Sequence, residues 1–153
     1  MNTRKETRMF KTNDVLFGKY RVESYVGRGS FGEVYRVTTQ TKDSIKERAV
    51  KVLKNSRELP HGKYEEIAYH FRKEAEICQN FFNTYIVHVD EVCEEGDLLG
   101  MVMEFVSGGT LFENLQHRKQ TSQVYSVDEV IEIATQLAEG LAELHNRDIV
   151  HRD

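Results

Sequence analysis

Cysteine and proline are scarce in this sequence, and long apolar runs do not occur in it. Two cysteines, Cys78 and Cys93, among 153 residues cannot build a disulfide framework, and thiols in that number suit a reducing compartment. No segment approaches the roughly 18 apolar residues that span a bilayer. The N-terminus, Met1-Asn2-Thr3-Arg4-Lys5-Glu6-Thr7-Arg8, carries charge but no apolar stretch behind it, so it does not read as a secretory signal. Neither sign of charge dominates. Lys plus Arg number 21 against 25 Asp plus Glu, a net charge of −4, which argues against nucleic acid or an anionic membrane as the main partner. Internal repeats and low-complexity tracts are also missing. What remains, 39% hydrophobic and 30% charged residues, is the composition of a soluble globular domain with a real core, and a cytoplasmic location is expected.

Glycine is where the sequence becomes specific. Val26-Gly27-Arg28-Gly29-Ser30-Phe31-Gly32-Glu33-Val34 places glycines at the first, third and sixth positions of one short stretch. Without β-carbons on one side of a tight turn, backbone N–H groups can approach a phosphate chain. The spacing alone is weak, since 10 glycines in the chain allow chance matches and an ordinary hairpin turn would fit as well. Its flanks narrow the choice. Tyr20–Val26 before it and Glu33–Thr39 after it alternate with a period near two and are rich in β-branched and aromatic residues. Both read as strands, so the glycines tip a β-hairpin. A dinucleotide-binding loop would instead lead from a strand into a helix.

The rest of the chain divides as follows. Residues 1–19 are polar and aperiodic and are expected to form a flexible lead-in. Strands are expected over Tyr20–Gly27, Glu33–Thr39, Glu47–Leu53, Ile86–Val92 and Leu98–Val106. A helix over Lys63–Gln79 is expected from the stripe Ile67, Phe71, Ala75 and Cys78. The only proline, Pro60, sits with Gly62 in the loop before it. Thr110 with Glu113 and Ser126 with Glu129 form two capping-box patterns. The first should open a short helix through Leu115, followed by a polar loop over Gln116–Tyr125. The second should open a long helix to about Asn146, with Val130, Ile133, Ala134, Leu137, Leu141 and Leu144 on one face.

Five separated features then fall in the order of the N-terminal half of a protein kinase, and the chain resembles that family from Tyr20 to Asp153. The glycine-rich hairpin comes first, with Val34 after the third glycine. Arg48-Ala49-Val50-Lys51 supplies the strand lysine. Phe71-Arg72-Lys73-Glu74-Ala75-Glu76-Ile77 supplies a helix carboxylate, assigned to Glu74 with Glu76 as the alternative. Met101-Val102-Met103-Glu104-Phe105-Val106 resembles the gatekeeper and hinge. Ile149-Val150-His151-Arg152-Asp153 resembles the start of the catalytic loop. The resemblance implies an α+β fold. A small lobe of five antiparallel strands plus one helix (20–106) precedes the first helices of a truncated large lobe (107–153).

It also implies ATP as cofactor, magnesium with it, and transfer of the γ-phosphate to a protein hydroxyl, with Ser/Thr expected over Tyr. Implied catalytic residues are Lys51, Glu74 and Asp153. Implied ATP-binding residues are Val26, Gly27, Arg28, Gly29, Ser30, Phe31, Gly32, Glu33, Val34, Ala49, Lys51, Met103, Glu104 and Val106. Here Val26, Val34 and Ala49 would form apolar walls, and Glu104 and Val106 would act through their backbones. The magnesium-holding side chains of the family fall after Asp153, so no metal ligand is assigned and the chain alone is expected to be inactive.

Departures from the family pattern are Arg48 in place of valine, Thr84-Tyr85 in place of His-Pro, and a long run between Lys51 and Glu74. A nucleotide-binding or interaction module without transfer activity stays open as a second reading, and a dinucleotide-binding dehydrogenase as a distant third. Cys78, His88 and Cys93 are too irregularly spaced for a zinc site. The apolar face of the last helix is expected to leave the C-terminal third frayed or self-associating.

Overall fold

The computed structural model of the chain describes residues 8–54 and 62–150. They fall into two compact units, residues up to 80 together with 88–105, and residues 81–87 with those from 106 onward.

The first unit is an antiparallel sheet and one helix. Its strands are β1 (Val15–Leu16), β2 (Tyr20–Arg28), β3 (Gly32–Gln40), β4 (Ile45–Leu53), β5 (Val89–Glu95) and β6 (Leu98–Glu104). Spatial order is β1-β2-β3-β4-β6-β5, so the helix α1 (Tyr64–Gln79) is the excursion between β4 and β5. The alternation that marks β2 and β3 as strands is used for burial. One face buries Tyr35, Val37, Val50, Val52 and Val102 with Tyr20, Val22 and Leu16. Met101 and Leu99 instead pack with Leu53, Val89 and the Ala68, Phe71 and Ala75 stripe of α1. Of the expected stripe, Phe71 and Ala75 are buried and Ile67 and Cys78 partly so, with Ala68, outside that stripe, completing the buried face.

Two glycines sit at close approaches among these contacts. A β-carbon on Gly32 would lie 2.2 Å from the Val52 carbonyl oxygen, where β3 runs against β4. One on Gly100 would lie 2.5 Å from the Phe17 ring. The first is a close approach to backbone that only hydrogen permits, whereas the second abuts the tip of a side chain.

Phe17 exposes the first correction. Residues 8–19 do not behave as a loose lead-in. Val15 and Leu16 pair with Arg21 and Tyr20, which adds a sixth strand to the expected five. Leu16 is fully buried, and Met9, Phe10 and Phe17 pack on the same cluster. The Asn13 amide donates to the Val22 carbonyl and the Val22 amide to the Asp14 carbonyl, both at 2.8 Å. A two-residue strand has no period to read, which is why the pattern missed it. Boundaries shift elsewhere. β4 begins at Ile45, and β5 begins at Val89 because Asn83 makes a turn first, its side chain accepting from the Tyr85 amide at 2.8 Å.

The second unit holds α2 (Leu111–Gln120) and α3 (Val127–His145). Both capping boxes form as the spacing indicated, Thr110 with Glu113 and Ser126 with Glu129. α2 runs five residues past its expected end at Leu115, into what was read as loop. Arg118 fixes that extra turn. Its guanidinium donates to Asn114 at 3.1 Å and to Glu129 at 2.7 Å and lies 4.0 Å from the Tyr125 ring centroid. The helix α3 is continuous from Val127 to His145. Gly140 is its buried residue, with the Tyr85 backbone alongside, whereas Val127, Val130, Ile131, Leu137 and Leu141 are exposed.

Candidate nucleotide site

Side chains directly opposite one another in an antiparallel pair share a face of the sheet. The register places Val34 opposite Lys51, Lys51 opposite Met101, Arg36 opposite Ala49 and Ala49 opposite Met103. Val34, Ala49, Lys51 and Met103 thus share one face. Glu33, Tyr35 and Val37 share the other.

On the first face the Lys51 ammonium donates to Glu74 Oε1 at 2.6 Å and lies 5.5 Å from the centroid of the Phe71 ring. Glu74 is the carboxylate brought to the lysine. Glu76, the alternative, pairs instead with Lys73 at 2.6 Å on the solvent side of α1. Both partners of the Lys51–Glu74 pair are partly exposed, and an ion pair in that setting contributes roughly 0–1 kcal/mol to stability. Its consequence is positional. It holds a cation at a fixed height above the sheet, beside an apolar floor of Val34, Ala49 and Met103. Phe71 beneath the lysine was not singled out from sequence, where it read only as part of a core stripe.

The glycine-rich stretch is a hairpin. Gly27 pairs with Val34 and Arg28 with Glu33, and the Gly29 amide donates to the Gly32 carbonyl at 2.9 Å. Strand pairing across the glycines removes the dinucleotide-binding reading, which needs a helix there. Register shifts between Val22 and Ser24 and between Tyr25 and Gly27 mark bulges, and a bulge raises local twist. Val26 stands at the second and is half exposed.

The turn is also tied to the end of β4. The Lys54 amide donates to the Phe31 carbonyl at 2.9 Å and its ammonium to the Ser30 carbonyl at 3.3 Å. The three glycines differ in what the chain itself asks of them. Gly32 is forced by Val52, whereas a β-carbon at Gly27 or Gly29 would meet nothing within 4 Å.

Glu33 departs from its expected setting. Its carboxylate is fully buried on the face opposite Lys51, where it accepts from Arg28 Nη2 at 2.5 Å, Arg28 Nε at 3.1 Å, the Met9 amide at 3.0 Å and the Tyr35 hydroxyl. Burial by itself would raise the Glu33 carboxyl. The bonds from Tyr35, Met9 and Arg28 outweigh it and hold the group below its ordinary value.

At the end of β6, opposite Arg48 and so on the other face from Lys51, Glu104 Oε1 accepts from the His88 amide at 3.0 Å, and the Glu104 amide donates to the His88 carbonyl at 3.1 Å. Both groups are thereby occupied within the sheet. Val106 belongs to the second unit and is exposed. Asp153, with His151 and Arg152, lies outside the described residues.

Among the described residues no three His, Cys, Asp or Glu side chains gather as a metal site. Cys78 and Cys93 are unbridged, and burial with the nearby Glu91 pushes the Cys93 thiol up to about 11. No described helix is long and apolar enough to cross a membrane.

Comparison with known proteins places these features in one family pattern. The family model for the protein kinase domain matches residues 20–153. A probable serine/threonine-protein kinase of Clostridium acetobutylicum is 33% identical over 141 residues, covering 91% of this chain and 20% of that protein. A probable serine/threonine-protein kinase of Dictyostelium discoideum is 30% identical over 153 residues, covering 99% of this chain and 31% of that protein. The human tyrosine-protein kinase Fer is 30% identical over 140 residues, covering 92% of this chain and 15% of that protein. Among solved structures, the kinase domain of Mycobacterium tuberculosis PknI aligns with a TM-score of 0.71 at 28% identity, covering 94% of this chain and 55% of that domain. The chain therefore spans between about a seventh and a third of these curated relatives.

Proposed function

The chain belongs to the protein kinase family, and from that premise we propose that its small sheet holds ATP for transfer of the γ-phosphate to a protein hydroxyl. One observation carries the reading. The Lys51–Glu74 pair at 2.6 Å stands on the same sheet face as Val34 and Ala49, next to the glycine-rich hairpin.

The residues fit the group. Val34, Ala49 and Met103 offer an apolar surface to a base. Gly27 and Gly29 leave backbone open where side chains would crowd phosphates, and their own surroundings give no steric reason for glycine. When bound, ATP supplies the phosphoryl group, with magnesium as the accompanying ion the family implies. The chain's part is to orient and neutralise. Lys51, steadied by Glu74, offers its ammonium to phosphate oxygens, and the hairpin's amides supply further donors. Glu104 and Val106 would meet the base through their backbones, and Asp153 would orient the acceptor hydroxyl. Serine or threonine is the proposed acceptor, in keeping with most of the relatives named above. Phosphoamino-acid analysis of a protein acceptor labelled with the family's magnesium-holding segment supplied decides between these and tyrosine. The two unbridged cysteines support a cytoplasmic setting.

Titration with a fluorescent ATP analogue tests the site. Lys51→Met is expected to weaken binding roughly tenfold or more, the scale of a lost hydrogen bond to a charged group. Unchanged affinity would mean the nucleotide site is elsewhere. A second reading, a nucleotide-binding interaction module without transfer, is favoured by the exposed apolar residues of α3. ATP binding without transfer is expected of this chain under both readings, and transfer restored when the family's magnesium-holding segment is supplied would select the first.

A further inference from the structure

The Glu33 carboxylate is the one charged side chain that is fully buried among the described residues. It lies directly behind the glycine-rich turn. Its donors come from three separate parts of the chain. Arg28 belongs to the turn, Tyr35 to the core strand β3, and the Met9 amide to the segment preceding β1.

That segment is laid across the back of the hairpin by further contacts. The Phe10 amide donates to the Tyr35 hydroxyl at 3.1 Å, and the Phe10 and Tyr35 rings meet edge to face with centroids 5.6 Å apart. The Arg8 guanidinium lies 4.5 Å from the Tyr25 ring centroid, and Thr12 donates to the Glu23 carbonyl at 3.2 Å. Every one of these contacts sits on β2 or β3, the two strands that carry the turn.

A carboxylate accepting several charge-assisted bonds at once fixes the relative placement of its donors. Tyr35 is immobile in the core, so Glu33 transmits that rigidity forward to Arg28 and backward to Met9. We propose that Glu33 is a positioning residue for the glycine-rich turn, and that residues 8–14 are a strap whose docking on Glu33 and Tyr35 sets the affinity for the phosphates of a nucleotide. The inference rests on the nucleotide reading above. The strap's bonds to Glu33 and Tyr35 come from the backbone amides of Met9 and Phe10, so substitutions at Glu33 and Tyr35 are the ones that test those bonds.

The test is made on the intact chain, with a trinitrophenyl-labelled ATP as probe and adenosine as competitor. Adenosine meets the sheet but has no phosphates, so a displaced turn affects only the first ligand. Glu33→Gln is expected to weaken the ATP probe about five- to tenfold and to leave adenosine unchanged. Amide exchange should quicken at Met9 and Phe10 while Val50 and Val102 stay protected.

Equal weakening of both ligands, or of neither, overturns the positioning role while leaving the nucleotide site in place. If the unaltered chain binds neither ligand, the nucleotide reading fails and this inference falls with it. Should Glu33→Gln lose its folded circular dichroism signature, Tyr35→Phe replaces it, since it keeps the ring and removes only the hydroxyl. The same ATP-selective loss is expected there, about threefold, and its absence overturns the proposal.

Discussion

Gly29 and Gly32 look alike in sequence and answer to different forces. Gly32 is required by the chain, because any β-carbon there lands on the Val52 carbonyl, a backbone atom held in the β3–β4 ladder. Gly29 has open space around it. Gly32→Ala is therefore expected to lower stability by about 2–4 kcal/mol, within the range for forced overpacking and strain, read as a fall in the thermal midpoint. Gly29→Ala should shift stability by less than about 1 kcal/mol while weakening the ATP probe. Reversal of that order would mean that the turn's glycines serve the fold alike.

Acid titration is decided at the same scale. Glu91 accepts two bonds from Lys19, both at 2.8 Å, and one from the Tyr20 hydroxyl. Burial would raise its carboxyl, and the bonds from Lys19, Tyr20 and Cys93 instead hold it low, as the bonds to Glu33 do there. A carboxyl lowered by folding stabilises the fold above its ordinary value, near about pH 4.3, and loses that contribution as pH falls through the lowered value. The chain should therefore lose stability on acidification below that range. Glu91→Gln should show a shallower acid limb in pH-dependent thermal unfolding. An unchanged limb would mean that the Glu91 contacts do not persist in solution.

At the scale of elements, β1 is the instructive case. It contributes only Val15 and Leu16, yet Leu16 is buried in the cluster formed by Tyr35, Val50 and Val102. Leu16→Ala is expected to cost about 2–5 kcal/mol, the range for a buried leucine truncated in a core. A residue in a loose lead-in would cost nothing. Chemical denaturation measures the difference. The helices show the reverse case. α2 and α3 start where their capping boxes said they would, because a cap is a contact between residues three apart and needs no tertiary partner. The end of α2 did depend on a distant group. Arg118 bonds to Glu129, eleven positions along, and no local rule announces that.

For the molecule as a whole, the exposed face of α3 sets behaviour in solution. Val130, Leu137 and Leu141 fall on one stripe and present apolar surface on an N-capped, continuous helix. Contiguous exposed apolar surface favours association. Sedimentation velocity is expected to show mass increasing with concentration, and Val130→Glu with Leu137→Glu should return the chain to monomer. A monomer at every concentration would mean that this face is satisfied without a second copy.

The sequence by itself determined whatever is written in short-range spacing. Alternation placed β2 and β3, a stripe at three and four placed α1, and strand flanks on both sides made the glycine turn a hairpin. The order of all five motifs was also enough to mark the family and to prefer Glu74 over Glu76, and the fold sets Glu74 2.6 Å from Lys51.

Tertiary structure alone decided which glycine is forced, where the segment before β2 goes, and which way Glu33 points. A period of two already put Glu33 on the face of Tyr35 and away from Lys51, a signal present in the sequence but overridden by the motif around it. The docking of residues 8–14 left no such trace. Its hydrogen bonds run from backbone amides to side chains 24 and 25 positions away. Every residue but proline carries such an amide, so only the folded chain could select these two.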